Sequence, residues 1–340
     1  MICLSLTTPA NTAGAVALIQ LHGQGVKGLL SELTLRTQWD DNKVYLCDFG
    51  GIDEGLVVCL GDEWAQLMPH GGLRVIELLC EKLLDLGCHH KQASNRQIFP
   101  EASSDFQADM LATIAHAPSP AAIDLLLAQL ENWQNVTLDS STILADTNKL
   151  DRLCDMPSIV VVGPANVGKS TLTNRMLGYA ASIVADLPGT TRDWVGGMAQ
   201  LRGVAVRWMD TPGIRSSDDA VEQQAIQLAK QVIEQADVLV YMSDLQNGFE
   251  QAGKPHRKPD ILLLNKIDTV DEQTQKQMPP DVLAVSATTG QGMAELIEQI
   301  LHLLGLHHID AATPWAFSKR LKQIVTENDL EGLRCYMHEA

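Results

Sequence analysis

The sequence of 340 residues has few basic residues, few aromatic residues and no long apolar run. It contains 25 Lys and Arg against 42 Asp and Glu, which gives a formal net charge of −17. Such an acidic surface repels phosphate backbones, so tight autonomous binding of RNA or DNA is disfavoured. Because no stretch approaches ~18 consecutive apolar residues, we expect no transmembrane helix and no membrane partner.

The seven cysteines are scattered, odd in number and never arranged as a C-x-x-C pair. This pattern indicates reduced thiols rather than a disulfide framework. The first residues lack a positively charged segment, and Thr7, Pro9 and Asn11 interrupt their apolar stretch, so we expect no signal peptide. These features together predict a cytoplasmic protein.

The length and the apolar content of 45% favour two or three packed domains. Residues 1–95 mix short apolar stretches with an amphipathic helix over Leu73–Leu86, which predicts a small α+β domain. Residues 96–155 predict a helical linker, and residues 307–340 predict a helical tail. Residues 156–306 alternate strands with helices, which predicts an α/β fold with a mostly parallel sheet covered by helices on both faces.

The motif GPANVGKS runs from Gly163 to Ser170, after an apolar strand and before a helix, which is the context of a P-loop. Glycines let the backbone wrap phosphates closely, and the next helix directs its positive end at them. Lys169 would reach the β- and γ-phosphates, and Ser170 would ligate Mg²⁺. The predicted nucleotide-binding residues of this segment are Gly163, Asn166, Val167, Gly168, Lys169, Ser170 and Thr171.

Two further segments predict contacts to the γ-phosphate and its metal. DTPG places Asp210 at the end of an apolar strand, where it would hold Mg²⁺ through water, and the Gly213 amide would meet the γ-phosphate. GTTRD, residues 189–193, is typical of a switch loop that closes onto Mg²⁺ and the γ-phosphate. We expect Thr191 to be the closing residue, with Thr190 as the second candidate.

The motif NKID, from Asn265 to Asp268, predicts recognition of guanine. Guanine presents N1–H and N2–H donors along one edge and adenine does not, so one carboxylate, Asp268, can accept both hydrogen bonds and reject adenine. Lys266 would lie over the base plane, and Asn265 would brace the P-loop.

The motif SAT completes the predicted base site with Ser286, Ala287 and Thr288, of which the Ala287 amide could donate to guanine O6. The order and spacing of the motifs fit a single nucleotide. The sequence therefore predicts a GTPase that binds GTP or GDP with Mg²⁺.

The position just after DTPG, where many GTPases carry a glutamine that orients the attacking water, is Ile214. Because Ile214 cannot polarise water, a carboxylate, a cation or a partner's residue must do so. The candidates in this chain are Arg215, Asp218, Asp219 and Glu222.

Several motifs together resemble the TrmE/MnmE branch of the TrmE–Era–EngA GTPases. GPANVGKST, PGTTRD, DTPGIR and DDAVEQQA carry the resemblance in the second half of the chain. Near the start, TTPANTAGAVALIQLHG resembles the family's opening block, and MPHGGLRVIELLCEKLL, from Met68 to Leu84, is similar to its HGGP helix. The resemblance covers roughly residues 1–90 and 157–305.

This resemblance implies a cytosolic, K⁺-stimulated GTPase that dimerises through a folate-binding N-terminal domain. It also implies a flavoprotein partner, with which the family modifies the wobble uridine of certain tRNAs. The side chain of Asn166 would bind K⁺, and backbone carbonyls around Ala185 and Leu187 would complete that site. Glu222 falls where the family keeps a glutamate that helps orient the water, although a surface helix glutamate is the alternative.

The chain departs from the family pattern at two informative places. RCYMHEA stands where the family ends in C-I/L-G-K, so the role of that cysteine is not carried over to Cys335. The basic position of the opening block is Gln20, which counts against folate binding. Two hypotheses therefore remain: a GTPase of tRNA modification, and a regulatory GTPase switch, such as an assembly factor, that has lost that chemistry. A remnant that binds GTP without hydrolysing it would conflict with the intact motifs.

Overall fold

The computed structural model describes residues 2–7, 14–90, 94–99, 101–134, 136–137, 139–179, 195–210, 227, 230–249, 257–271 and 278–338. The chain forms two compact units, Met1–Ala112 with Tyr336–Ala340, and Thr113–Cys335. Within the described ranges, no helix combines the length and the apolar character needed to cross a membrane. The division into four segments at residues 95, 155 and 306 stays a prediction.

The first unit is built on a six-stranded sheet with the strand order β3-β4-β5-β2-β1-β6. Neighbouring strands pair antiparallel except β1 and β6, which are parallel. The strands are β1 (Ile2–Leu6), β2 (Ile19–His22), β3 (Val44–Asp48), β4 (Glu54–Cys59), β5 (Trp64–Met68) and β6 (Cys88–His90). The helices are α1 (Val26–Thr34), α2 (Leu73–Asp85), α3 (Asn95–Ile98) and α4 (Asp105–His116), of which α4 belongs to the second unit from Thr113 onward.

Helices α1 and α2 bury their apolar faces in one core with one face of this sheet. In α2 the buried residues Ile76, Leu79 and Leu83 recur at helical spacing, as the sequence predicts. Gly55 is needed in β4, because a Cβ atom there would lie 2.5 Å from the carbonyl oxygen of Met68. The unit is therefore the predicted α+β domain.

The second unit holds another six-stranded sheet, with the order β12-β11-β10-β7-β9-β8. All neighbours are parallel except the antiparallel pair β8 and β9. The strands are β7 (Ser158–Val162), β8 (Val195–Leu201), β9 (Val204–Asp210), β10 (Val238–Ser243), β11 (Ile261–Leu264) and β12 (Val282–Ala284). The predicted α/β fold with a mostly parallel sheet is confirmed.

The helices of the second unit lie both inside and outside the strand–helix alternation. They are α5 (Pro120–Gln134), α6 (Ser140–Leu150), α7 (Arg152–Asp155), α8 (Lys169–Tyr179), α9 (Met293–Leu303), α10 (Lys319–Glu327) and α11 (Leu330–His338), of which α11 belongs to the first unit from Tyr336 onward, with a helical stretch at 230–235. Buried Gln129 of α5 joins the segments that flank the sheet, because its Oε1 accepts from the Trp315 amide at 2.7 Å and from Trp133 Nε1 at 3.0 Å. The flanking segments 113–155 and 307–335 thus pack in the same unit as the sheet.

The order of the parallel strands brings four strand ends to one edge of the sheet. Strand β7 pairs with β9 on one side and with β10 on the other, and β10 pairs with β11. Since parallel strands share their carboxyl ends, the carboxyl ends of β7, β9, β10 and β11 meet at one edge. Asp210 is the last residue of β9, and the P-loop, Asp244 and Asn265 directly follow β7, β10 and β11.

Candidate nucleotide-binding site

The loop after β7 has a shape that only glycine allows at two positions. Gly163 has a φ of 148°, and a Cβ atom there would lie 2.0 Å from the Met242 carbonyl oxygen. Gly168 has a φ of 100°, and its Cβ would lie 2.4 Å from Asn265 Nδ2. The glycines of the motif therefore let the loop closely approach β10 and Asn265, the residue that follows β11.

Lys169, the first residue of α8, lies across this loop. Its Nζ donates to the carbonyl oxygens of Gly163 at 3.0 Å and Pro164 at 2.8 Å. The side chain is 8% exposed, and burial lowers the pKa of Lys169, an effect that the nearby Asp210 carboxylate opposes. A buried ammonium group that lacks a close carboxylate partner can bind an anionic phosphate group.

Asp210 ends β9 beside Ser170, the second residue of α8. Ser170 Oγ donates to Asp210 Oδ2 at 3.0 Å, whereas Oδ1 is buried and finds no hydrogen-bond partner among the described residues. Burial raises the pKa of Asp210, which is 5% exposed. Mg²⁺ prefers oxygen ligands, and the Ser170 hydroxyl lies beside a carboxylate oxygen that lacks a hydrogen-bond partner. These two residues therefore fit the metal that a GTPase requires.

A second contact fixes the distance between this helix and this strand. Trp208 of β9 donates its Nε1–H to Thr173 Oγ1 of α8 at 3.1 Å, and Trp208 and Thr173 are both fully buried. Because Thr173 lies one turn after Ser170, this bond fixes the approach of Ser170 to Asp210.

Asn265 connects the P-loop with the loop after β12. Its Nδ2 donates to the Val167 carbonyl at 2.8 Å, and its Oδ1 accepts from the Ala287 amide at 2.9 Å. The side chain is 4% exposed. The two loops therefore form one hydrogen-bonded platform, and Asn265 braces the P-loop as expected.

Lys266 lies on the same platform with a left-handed backbone, φ 67°. Its Nζ donates to the Asn166 carbonyl at 2.9 Å and to Asp244 Oδ2 at 2.7 Å. Asp268 follows in a 3-10 turn, Ile267–Thr269, with its carboxylate exposed. An exposed carboxylate beside a fixed lysine side chain can receive the donor edge of a planar base.

The loop after β12 is held by its own backbone and by an arginine of α8. The Thr289 amide donates to Ser286 Oγ at 3.1 Å, and the Gly290 amide donates to the Ser286 carbonyl at 2.8 Å. The guanidinium of Arg175 donates to the carbonyl oxygens of Ala287 and Thr288. The Ala287 amide, expected to face guanine, is thus bonded to Asn265 in this structure.

The structure brings most of the predicted site residues together at one sheet edge. Other predicted residues lie outside the described part of the chain. These are Ala185, Leu187, Thr190, Thr191, Gly213, Ile214, Arg215, Asp218, Asp219 and Glu222. Asn166 is described, with an exposed side chain and a φ of 63°.

Two residues of the site were missed by the sequence analysis. Asp244 comes directly after the buried strand β10, the same signal that identified Asp210, so its position could have been found. Arg175 lies on α8 without any motif, and no local pattern indicates that it reaches the loop after β12.

Outside this site, two polar residues of the first unit have hydrogen-bond partners within their own unit. Gln20 is 3% exposed and donates to the Ile98 carbonyl at 3.4 Å. His70 Nδ1 lies 2.8 Å from Asp53 Oδ1. The described residues contain no cluster of three or more His, Cys, Asp or Glu side chains that could hold a metal ion.

Comparisons with known proteins find GTPases that are similar to this chain. Residues 158–278 match the family described as 50S ribosome-binding GTPase. The tRNA modification GTPase MnmE of Acidiphilium cryptum (strain JF-5) is 29% identical over 350 residues, 85% of this chain and 78% of that protein. MnmE of Synechococcus sp. (strain RCC307) is 34% identical over 251 residues, 72% of this chain and 50% of that protein.

Among solved structures, the chain is similar to an Era variant from Aquifex aeolicus bound to GDP and AlF4⁻. The identity is 32%, the TM-score is 0.35, and the match covers 44% of this chain and 56% of the Era chain. The sequence similarities span both units of the chain, and the P-loop and the base motifs lie at one edge of the second sheet. The chain is therefore a P-loop GTPase, a hydrolase of GTP, and it is similar in sequence to the tRNA modification GTPases MnmE.

Proposed function

We propose that one GTP molecule with Mg²⁺ binds across the carboxyl ends of β7, β9 and β11. Lys169 binds the β- and γ-phosphates, Ser170 and Asp210 hold Mg²⁺, and Asp268 accepts the N1–H and N2–H groups of guanine. The observation that carries this assignment is Asn265, whose side chain bonds both the P-loop and the base loop. One buried amide thus makes the phosphate end and the base end parts of one rigid platform.

The metal supplies charge stabilisation for the transferring phosphoryl group when it is bound. The backbone amides from Gly163 to Thr171 line the phosphates, with Lys169 as the cation. For the residues beyond the described part, we retain Thr191 as the switch residue, the Gly213 amide as a γ-phosphate donor and Glu222 as the group that orients water. Asn166 supplies the side-chain ligand of K⁺.

A phosphate-release assay with Mg²⁺–GTP tests this function. Lys169→Met keeps the length of the buried side chain and removes its charge, so the fold should survive. Removing one group that stabilises transition-state charge typically costs on the order of 10²–10³ in rate. Lys319→Met, at an exposed lysine of α10, is the matched control and should retain the wild-type rate. A Lys169→Met variant that hydrolyses GTP at the wild-type rate would refute the assignment.

In the cell, we propose that this GTPase acts in tRNA modification, as the names of its MnmE relatives state for them. The support is that the similarity extends through both units, over 85% of the chain, rather than through the GTPase domain alone. A homodimer through the first unit, a flavoprotein partner and a tRNA substrate belong to this proposal. Folate does not, because Gln20 is buried and donates to Ile98 where the resemblance places a basic residue.

Mass spectrometry of wobble-uridine nucleosides in tRNA tests the cellular role. Deletion of the gene should remove the modification, and the wild-type gene should restore it whereas the Lys169→Met gene should not. If the nucleosides are unchanged in the deletion strain, the tRNA proposal fails, and the alternative of a regulatory GTPase switch is favoured.

A further inference from the structure

Arg175 is the only arginine of α8, and it makes contacts that the GTPase motifs do not explain. Its Nε donates to the Ala287 carbonyl and its Nη2 donates to the Thr288 carbonyl. Helix α8 starts at Lys169, so the element that carries the phosphate-binding lysine also holds the loop after β12. A guanidinium group holds two acceptors in a rigid planar geometry, whereas an ammonium group carries its donors on a flexible stem.

These two bonds decide which amide of the loop is available to a ligand. In a trans peptide the C=O and the following N–H point in opposite directions, and the described chain has no cis peptide bond. Because Arg175 holds the Ala287 carbonyl, the Thr288 N–H points away from α8. No described residue accepts a hydrogen bond from that amide, and Thr288 is exposed.

The neighbouring amides of the loop are already engaged. The Ala287 N–H donates to Asn265 Oδ1 at 2.9 Å, and the Thr289 N–H donates to Ser286 Oγ at 3.1 Å. An amide that is bonded inside the protein cannot donate to a base without breaking that bond. The Thr288 N–H is therefore the donor that this loop conformation offers.

We propose that Arg175 is a positioning residue for base recognition, which aims the Thr288 amide at the 6-carbonyl oxygen of guanine. The Asp268 carboxylate accepts hydrogen bonds from the N1–H and N2–H groups of guanine. The Thr288 amide, in the loop held by Arg175, donates to the 6-carbonyl oxygen beside them. Arg175 touches no part of the nucleotide and acts through the carbonyls of Ala287 and Thr288. The inference rests on the guanine site proposed above.

Binding of GTP and of 6-thio-GTP tests the inference, because the sulfur analogue changes only the acceptor at position 6. Each affinity is measured by competition against a fluorescent GDP. Wild-type protein should bind GTP about 10-fold more tightly than 6-thio-GTP, the scale of one hydrogen bond. Arg175→Met and Arg175→Lys should weaken GTP binding and bring this ratio close to one. The ratio of GTP to XTP, which reports Asp268, should keep its wild-type value.

Arg207→Met, at an exposed arginine of β9, is the control with the same change in net charge, and both ratios should be unchanged in it. An Arg175→Met protein with weaker binding but the wild-type preference for GTP over 6-thio-GTP would make Arg175 a purely structural residue and overturn the inference. A wild-type ratio of one would also overturn it. If the wild-type protein binds no guanine nucleotide at all, the proposed function itself fails, which is a different result.

Discussion

Replacing Asp268 by asparagine tests base recognition at its most specific point. The carboxylate is exposed in the 3-10 turn Ile267–Thr269, so the substitution removes no packing and should leave the fold unchanged. In the bound state this carboxylate accepts two hydrogen bonds from the guanine edge. Asparagine keeps one acceptor and turns the other oxygen into a donor, which opposes the N2 amino group of guanine.

The expected magnitude follows from these two bonds. A hydrogen bond to a charged group contributes about 1.5–3 kcal/mol, so two contribute about 3–6 kcal/mol. At about 1.4 kcal/mol for each tenfold change, this corresponds to a loss of GTP affinity on the order of 10²–10⁴. We expect the lower end, ~10², because the exposed carboxylate must first give up its water.

Xanthine carries a carbonyl where guanine carries the N2 amino group, so Asp268→Asn should gain affinity for XTP while it loses affinity for GTP. Competition against a fluorescent GDP measures both affinities, and a thermal melt of each variant checks the fold. Asp281→Asn, at an exposed aspartate of the same unit, should change neither affinity. If Asp268→Asn binds GTP as tightly as the wild-type protein does, the assignment of the base site is incorrect.

Three other perturbations address the metal, the cation and the lysine over the base. Burial raises the pKa of Asp210 in the folded protein above its unfolded value of about 3.9. The folded state therefore loses stability as pH rises from the unfolded pKa of this carboxyl through its folded pKa. Asp210→Asn should therefore raise the melting temperature of the nucleotide-free protein at pH 7 by a few degrees. It should also abolish the rise in melting temperature that Mg²⁺–GDP gives to the wild-type protein. If Mg²⁺–GDP still raises the melting temperature of the variant, Asp210 is excluded from the metal site. GTP hydrolysis should be faster in K⁺ than in Na⁺ and lose this difference in Asn166→Ala, whereas equal wild-type rates in the two salts would remove the cation model. Asp244→Asn should speed the release of GDP by about 2- to 10-fold, because Lys266 loses the charge of its buried partner; an unchanged release rate would show that Asp244 does not support Lys266.

The sequence predicted those strands and helices that adjoin a nucleotide-binding motif. The apolar strand expected directly before the P-loop is present as β7, because an apolar run there is followed directly by a polar motif. The helix expected directly after the P-loop is present as α8, since the P-loop requires a helix there. Motif residues and the elements that carry them were thus predictable together.

Strands and helices that are stabilised mainly by pairing or packing with elements distant in sequence could not be predicted. Strand β8 contains two glycines and no alternating pattern, and it exists because seven of its residues pair with β9. A Cβ atom at Gly196 would lie 2.7 Å from the Trp208 carbonyl, so a residue that weakens the strand pattern is required by the pairing. Helix α1 starts without a capping side chain and contains Gly28, and it is stabilised by packing against the first sheet.

The site shows the same division between local motif and long-range contact. The roles of Lys169 and Ser170 follow from spacing, whereas the bond from the Ala287 amide to Asn265 joins residues 22 positions apart and cannot be inferred from either motif. Arg175 reaches its partners across more than 110 residues. Contacts of this kind depend on the sheet order, which only the structure provides.

Lys169, Asp210 and Asp268 are proposed to hold the same nucleotide. A crystal structure with Mg²⁺ and a non-hydrolysable GTP analogue measures this directly. It should place the β- and γ-phosphates within hydrogen-bond distance of Lys169 Nζ, Mg²⁺ beside Ser170 and Asp210, and the guanine edge on the Asp268 carboxylate. A nucleotide bound elsewhere, or one whose base does not reach Asp268, would contradict the claim.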